Sequence, residues 1–198
     1  MSKSLGNSLL MEDLLKKYTN EAIKFALLQN NYRNDINITD DLFPSAERHL
    51  SEFYTVIKAV EDKFGKGGAG NAAIDEKFNA DMDEDFNTAL ALSELFGLFK
   101  SVSAKLAKGD KTAADDVAQI RKTYSLLGLF VKDAAEYLAE VAKKNPVEIP
   151  AEVAALAEKR WQAKQAKNWA EADGLRGELD ALGYNVKDGK DGYTIIKK

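Results

Sequence analysis

The sequence predicts a mainly α protein: a helical linker segment plus an antiparallel helical bundle, followed by a small C-terminal helix–helix–β-hairpin module. Three observations carry this expectation. Apolar residues recur at intervals of three and four as far as Val141. Pro146 and Pro150 then flank a Val-Glu-Ile stretch that reads as a linker. Beyond two more helical segments the pattern turns to alternation, with Asp188-Gly189 and Asp191-Gly192 supplying a turn between two short strands. The expected boundaries are 1–40 for an N-terminal loop and helical segment, 41–145 for the bundle and 146–198 for the C-terminal module.

Residues 10–30 read as a helix or a helix pair. Leu10, Leu14 and Leu15 give way to Ile23, Ala26 and Leu27, with Thr19 and Asn20 suited to a cap or turn between the halves. The next clear helix covers 44–64. Pro44 is placed to start it, and Ala46, Leu50, Phe53, Ile57, Val60 and Phe64 fall on one face. Gly65 to Ala73 contains four glycines and reads as a flexible loop. Leu92, Phe96, Phe99, Val102 and Leu106 mark another helix. Ala113, Val117, Ile120, Tyr124 and Leu127 mark the next, and Ala134, Tyr137, Leu138 and Val141 a shorter one. Amphipathic helices joined by short loops make an antiparallel bundle.

After the linker, a helix is expected over about 152–166. A second opens at Asn168, with Glu171 three residues on in a capping-box-like start. Ala172, Leu175, Leu179 and Leu182 share its face, and Gly183 ends it. Tyr184–Lys187 and Tyr193–Lys197 read as the strands.

Composition narrows the chemistry. The 198 residues are 45% hydrophobic, enough to bury a core, and 30% charged, as suits a helix-rich soluble chain. No apolar run approaches the roughly 20 residues that span a bilayer. There is no cysteine and only one histidine, His49, which has no companion at metal-ligand spacing and reads as a bundle-face residue. The net charge of −4 excludes a globally basic nucleic-acid binder. The charge is uneven, however. Residues 151–198 hold 9 Lys+Arg against 8 Asp+Glu, whereas the rest of the chain holds 19 against 24. Lys159, Arg160, Lys164 and Lys167 gather in one run, either a solvated helix face or a local footprint for a polyanion.

Three stretches hold specific patterns. Ser2-Lys3-Ser4-Leu5-Gly6-Asn7 puts an ammonium on a glycine-containing loop, where a lysine can meet charge developing on pyrophosphate. Asp81 to Thr88 alternates acids, but a calcium loop counted from Asp81 needs Gly at position 6 and Glu at position 12, and Phe86 and Leu92 stand there. Capping of the next helix by Asn87 or Thr88 is the better use of it. In Lys159 to Lys198, Trp169 at a helix start offers a stacking face, and Asp173 lies one turn later on the same face. Packing into the module's core is the alternative for Trp169. Gly65 to Gly70 lacks a P-loop's Gly-Lys-Ser/Thr ending.

SKSLGN resembles the KMSKS signature of class I aminoacyl-tRNA synthetases, with Met1 on that motif's methionine. The continuation LLMEDLLKKYTNEAIKFALLQNNYR, from Leu9 to Arg33, is similar to the segment that follows the motif in cysteinyl-tRNA synthetases. MDEDFNT, from Met82, resembles the DALR-like bundle of the same family, and KNWAEAD, from Lys167, its anticodon-recognition module. The resemblance implies an ATP-dependent cysteine–tRNA ligase, with Lys3 assisting catalysis and Ser2, Lys3 and Ser4 holding ATP. It implies anticodon contacts at Arg160, Lys164, Trp169, Asp173 and Asp188. At Lys164 many relatives have arginine, and Lys24 likewise stands where the family usually has one. The family's Thr-Trp-Arg ending is here Thr194-Ile195-Ile196-Lys197.

Further expectations follow from the resemblance. The partner is a cysteine-specific tRNA, the protein is cytoplasmic and monomeric, and no membrane is involved. The chain begins within the KMSKS motif, so the nucleotide-binding fold and its zinc site belong to a catalytic domain outside it. These residues alone bind no cofactor or metal and are expected to be inactive. A free-standing helical tRNA-binding or interaction domain, or part of a mycothiol-type cysteine ligase, are the alternatives. The Trp169 to Asp188 pattern speaks against the latter.

Overall fold

The computed structural model describes residues 10–146, 150–189 and 192–197, apart from the side chains of Thr194 and Lys197. It is mainly α, as the sequence predicts, with one antiparallel hairpin near the C-terminus. The chain divides into two compact units, Met1–Asn145 and Pro146–Lys198.

In the first unit, α1 (Met11–Lys17) and α2 (Asn20–Leu28) are the expected pair. Thr19 caps α2, its hydroxyl accepting from the Ala22 N–H at 3.2 Å. Helix α3 (Leu42–Phe64) begins two residues ahead of Pro44, which sits within the first turn, where its missing N–H forfeits no helical bond. Helix α4 (Ala72–Asp83) was not anticipated. Its apolar stripe is only Ile74, Phe78 and Met82, and the glycine stretch and the acidic string overlap its two ends. Helices α5 (Thr88–Lys108), α6 (Thr112–Tyr124) and α7 (Ala134–Lys144) follow. Gly109 and Gly128 turn the chain with φ of 73° and 70°.

The core is aromatic. Phe53 stacks on Phe99 with ring centroids 4.4 Å apart, and Tyr54 stacks on Tyr137 at 3.9 Å. Phe130, Phe25 and Tyr124 close around them, all buried.

Of the buried carboxylates, Glu21 and Glu47 hydrogen-bond to the tyrosines of this core. The Thr19 N–H donates to Glu47 Oε2 at 3.1 Å and the Thr19 hydroxyl to Oε1 at 2.6 Å. The Tyr137 hydroxyl lies 3.2 Å from Glu47 Oε1. Glu21 Oε2 accepts from the Tyr54 hydroxyl at 2.8 Å and from the Phe130 N–H at 2.7 Å. Burial pushes the Tyr54 and Tyr137 hydroxyls far above the ordinary tyrosine range, so both stay protonated donors. The two carboxylates thereby tie α2 to α3, α7 and the loop before α7.

The glycine stretch, read as a flexible loop, is pinned. The Ala69 N–H donates to Asp115 at 2.7 Å, and Lys66 pairs with Asp133. Gly68 is needed for close approach: a Cβ there would stand 2.7 Å from the Ala114 carbonyl oxygen and from Asp115 Cα.

The second unit holds α8 (Ala151–Gln165), α9 (Trp169–Ala181), β1 (Tyr184–Asp188) and β2 (Tyr193–Lys197). The strands pair antiparallel, Tyr184 opposite Lys197 and Asp188 opposite Tyr193. Val153, Ala157, Leu179, Tyr184 and Val186 form the core, with Leu156, Tyr193 and Ile195 against it. On the expected α9 face, Ala172 and Leu179 are buried, whereas Leu182 is exposed.

Helix α8 ends in a Schellman motif. The Asn168 N–H donates to the Ala163 carbonyl at 2.9 Å, and the Lys167 N–H to the Lys164 carbonyl at 3.0 Å. Lys167 occupies the left-handed position of that motif, with φ of 59°, where a Cβ is strained. Lys167→Gly is therefore expected to stabilise this unit by about 1 kcal/mol, or about 5 °C. Both tryptophans, Trp161 and Trp169, lie in this unit, so tryptophan fluorescence follows its melting alone. An unchanged or lower melting temperature would contradict the strain argument.

The capping-box start of α9 takes another form. Asn168 makes no side-chain cap bond and instead donates through Nδ2 to Glu171 Oε2 at 2.7 Å. Two side chains satisfy each other here in place of the backbone.

Candidate nucleic-acid interface

The residues that the sequence singled out in the C-terminal unit fall into two groups. Arg160 and Lys164 lie one turn apart on α8 and reach the end of β1. The Arg160 guanidinium grips Asp188 with both arms, Nη1 donating to Oδ1 at 2.6 Å and Nη2 to Oδ2 at 2.9 Å. Lys164 Nζ donates to Oδ2 at 2.7 Å. Arg160 is only 6% exposed, and the side chains of Asp188 and Lys164 are 24% and 33% exposed. The Arg160 fork, joined by Lys164, holds the Asp188 carboxyl well below the usual carboxylate range against the opposing effect of burial. Asp188 raises Arg160 in turn, and Asp173 adds to that field.

Trp169 and Asp173 form the second group, on the first turns of α9. Trp169 is 58% exposed and belongs to neither hydrophobic core, so the packing alternative does not hold. Asp173 is exposed. Lys159, Gln162, Ala163, Ala166, Asn168 and Glu171 line a shallow cleft of about 280 Å³ where α8 meets α9. The unit thus offers an indole ring, carboxylate acceptors and a one-third exposed lysine, a combination suited to unstacked bases.

Sequence reasoning did not find the aromatic neighbours of Lys164. Its Nζ lies 5.8 Å from the centre of the Trp161 ring, which in turn lies 5.8 Å from the Tyr193 ring. The Tyr193 hydroxyl donates to Glu158 at 2.8 Å. The three-residue spacing of Trp161 and Lys164 on a helix was the available signal. That Tyr193 and Asp188 would face them depends on the strand register, which spacing does not give.

The acidic string also finds its uses. Asn87 caps α5, its side chain accepting from the Leu90 N–H at 3.1 Å. Asp81 is buried, and Lys77 donates to it at 2.7 Å. Asp85 accepts from Arg33 Nε at 2.7 Å, Arg33 Nη2 at 2.9 Å and the Tyr32 hydroxyl at 2.9 Å. Those donors, Arg33 first, bring Asp85 down to about 2. The pair fastens the segment after α2 to the turn before α5. Asp85 and Phe86 both sit at positive φ, 56° and 52°.

Ser2, Lys3 and Ser4 lie outside the described residues. Among the described residues no group of three or more His, Cys, Asp or Glu could hold a metal ion, and no helix is long and apolar enough to cross a membrane.

Three family models match the chain in order. Residues 1–48 match the tRNA synthetases class I (C) catalytic domain, 77–131 the DALR domain and 147–195 the cysteinyl-tRNA ligase anticodon binding domain. Among curated proteins, the cysteine–tRNA ligase of Chromohalobacter salexigens is 38% identical over 196 residues, 99% of this chain. Those of Escherichia coli O17:K52:H18 and Cronobacter sakazakii are 35% and 33% identical over the whole chain. The chain spans 42% of the length of each of these relatives. Over its whole length, then, this chain is a relative of the cysteinyl-tRNA ligases.

Proposed function

We propose that residues 150–197 read the anticodon loop of a tRNA, as the tRNA-binding part of a cysteine–tRNA ligase. The observation that carries this is Trp169: a large aromatic ring, 58% exposed at a helix start, on the unit that matches an anticodon binding domain. Small domains seldom leave an indole in water without use, because burying it is among the largest gains open to them. Here it stands one helical turn from the Asp173 carboxylate and on the unit that carries the Lys164 ammonium.

In this reading Trp169 stacks on a base, while Asp173 and Asp188 accept from base N–H groups. Lys164 supplies positive charge to phosphate or base. The parent enzyme joins cysteine to tRNA with ATP, and Ser2, Lys3 and Ser4 serve that ATP step. The zinc of the parent belongs with residues other than these, since cysteine is absent and histidine single here. The protein works in the cytoplasm as a monomer, and these residues alone carry out no aminoacylation. Pyrophosphate exchange by the isolated chain would contradict that last point.

Loss of the ring tests the stacking role. Trp169→Ala is expected to weaken binding of a cysteine-tRNA anticodon hairpin about tenfold, within the range for one base–aromatic stack. Both proteins are titrated at one stated salt concentration, because phosphate contacts dominate the total affinity. Equal affinities would remove Trp169 from the site.

A further inference from the structure

We propose that Arg160 is a positioning residue that aims the Asp188 carboxylate at a base, and not itself a contact to RNA phosphate. The proposal rests on the anticodon reading above and revises it at one residue.

Burial comes first. Arg160 is 6% exposed, its two Nη atoms are spent on Asp188, and its Nε is buried with no partner. Each Nη keeps one further N–H, but with the side chain only 7% exposed little of the guanidinium reaches the surface for a phosphate. An arginine so placed is held by its carboxylate partner, since a buried cation without one is costly. Lys164 differs: its side chain is one-third exposed and can exchange Asp188 for an RNA oxygen without leaving a buried charge behind.

The geometry of Asp188 comes next. A carboxylate offers about four acceptor positions. Arg160 takes one on each oxygen and Lys164 a second on Oδ2, which leaves one on Oδ1. Asp188 is the last residue of β1, followed by the turn that the Gly189 N–H closes on the Gly192 carbonyl at 2.7 Å. A short side chain at a strand end has freedom to swing, and the two-armed grip removes it. What remains is one acceptor in one direction on an oxygen that stays ionised. Such a group accepts from a base N–H and never donates, so it selects for bases that present a donor there.

The test uses the full chain and hairpins carrying the cysteine anticodon or single-base changes in it. Wild type, Arg160→Lys, Asp188→Asn and the double variant are compared across a salt series. Arg160→Lys keeps the charge and loses the fork. Its affinity for the cognate loop is expected to fall about tenfold, with little change for the altered loops and an unchanged salt slope. Asp188→Asn should do the same, and the double variant should be no worse than either single one. Uniform weakening across all loops, cognate and altered alike, would mark a sequence-independent phosphate contact and overturn the proposal. Wild-type binding by Arg160→Lys, or additive losses in the double variant, would overturn it too. A wild-type chain that does not distinguish the loops would overturn the anticodon reading itself. Should Arg160→Lys unfold the unit, the wild type still decides. The Arg160 Nε–H resonance must hold its position when hairpin is added, and a large shift would refute the positioning role.

Discussion

Glu47→Ala is expected to lower the melting temperature of the helical unit by about 10 °C, a loss of about 3 kcal/mol. The carboxylate is 5% exposed and serves donors from two other elements. Its removal leaves the Thr19 N–H at the start of α2 without that acceptor, and leaves the Thr19 and Tyr137 hydroxyls, 3.0 Å apart, with one acceptor fewer between them, all in the core. Each stranded donor costs roughly 1–3 kcal/mol, and a small cavity adds to the loss. Thr19 keeps its cap bond to Ala22, so α2 should still form and the loss should be one of docking. Glu47→Gln keeps one acceptor and the shape, and should cost about half as much. Far-UV circular dichroism of the full chain follows the event, since helices of this unit dominate the signal. Equal melting of wild type and Glu47→Ala would show that the network contributes nothing.

The second large effect falls on the C-terminal unit. Asp188→Ala should destabilise it by about 2–3 kcal/mol, because Arg160 would then be a buried cation without its hydrogen-bonded carboxylate, left with only the weaker field of Asp173. Asp188 is one-quarter exposed, which places the loss below that of a fully buried pair. The unit has a small core, so a loss of this size approaches its whole stability. The same pair predicts a pH dependence. The folded-state pKa of Asp188 is depressed below the unfolded value near 3.8. Its contribution is therefore present above about pH 4 and is lost as pH falls toward the folded value. Tryptophan fluorescence should show the wild-type unit melting at progressively lower temperature below about pH 4. Asp188→Asn should be less stable at neutral pH and lack this contribution to the acid dependence. Identical acid profiles would remove the Arg160–Asp188 pair from the account.

The unequal legibility of the sequence follows from the range of the interactions. Elements set by local rules were readable: the Thr19 cap, the Asn87 cap and the Gly183 stop each depend on neighbours within a few residues. Helix α4 escaped because its three apolar residues are framed by a glycine stretch that reads as loop and an acidic run that reads as the lead-in to the next helix's cap. Pairings across the chain were not readable. Arg160 and Asp188 stand 28 positions apart, and Arg33 and Asp85 stand 52 apart. Only the packing of α8 against the hairpin, or of the Tyr32 segment against the turn before α5, brings them together. Arg160 therefore looked like one more basic residue in a run. The indole of Trp169 left two roles open on the sequence, and its exposure decides between core and surface.

The most direct measurement is a titration of the full chain with the cysteine anticodon hairpin, followed by the two indole N–H resonances of Trp161 and Trp169. The account predicts that Trp169 shifts strongly and that a hairpin with the same stem and a permuted loop leaves it nearly in place. An unmoved Trp169, or equal shifts with both hairpins, would contradict the claim that this unit reads the anticodon.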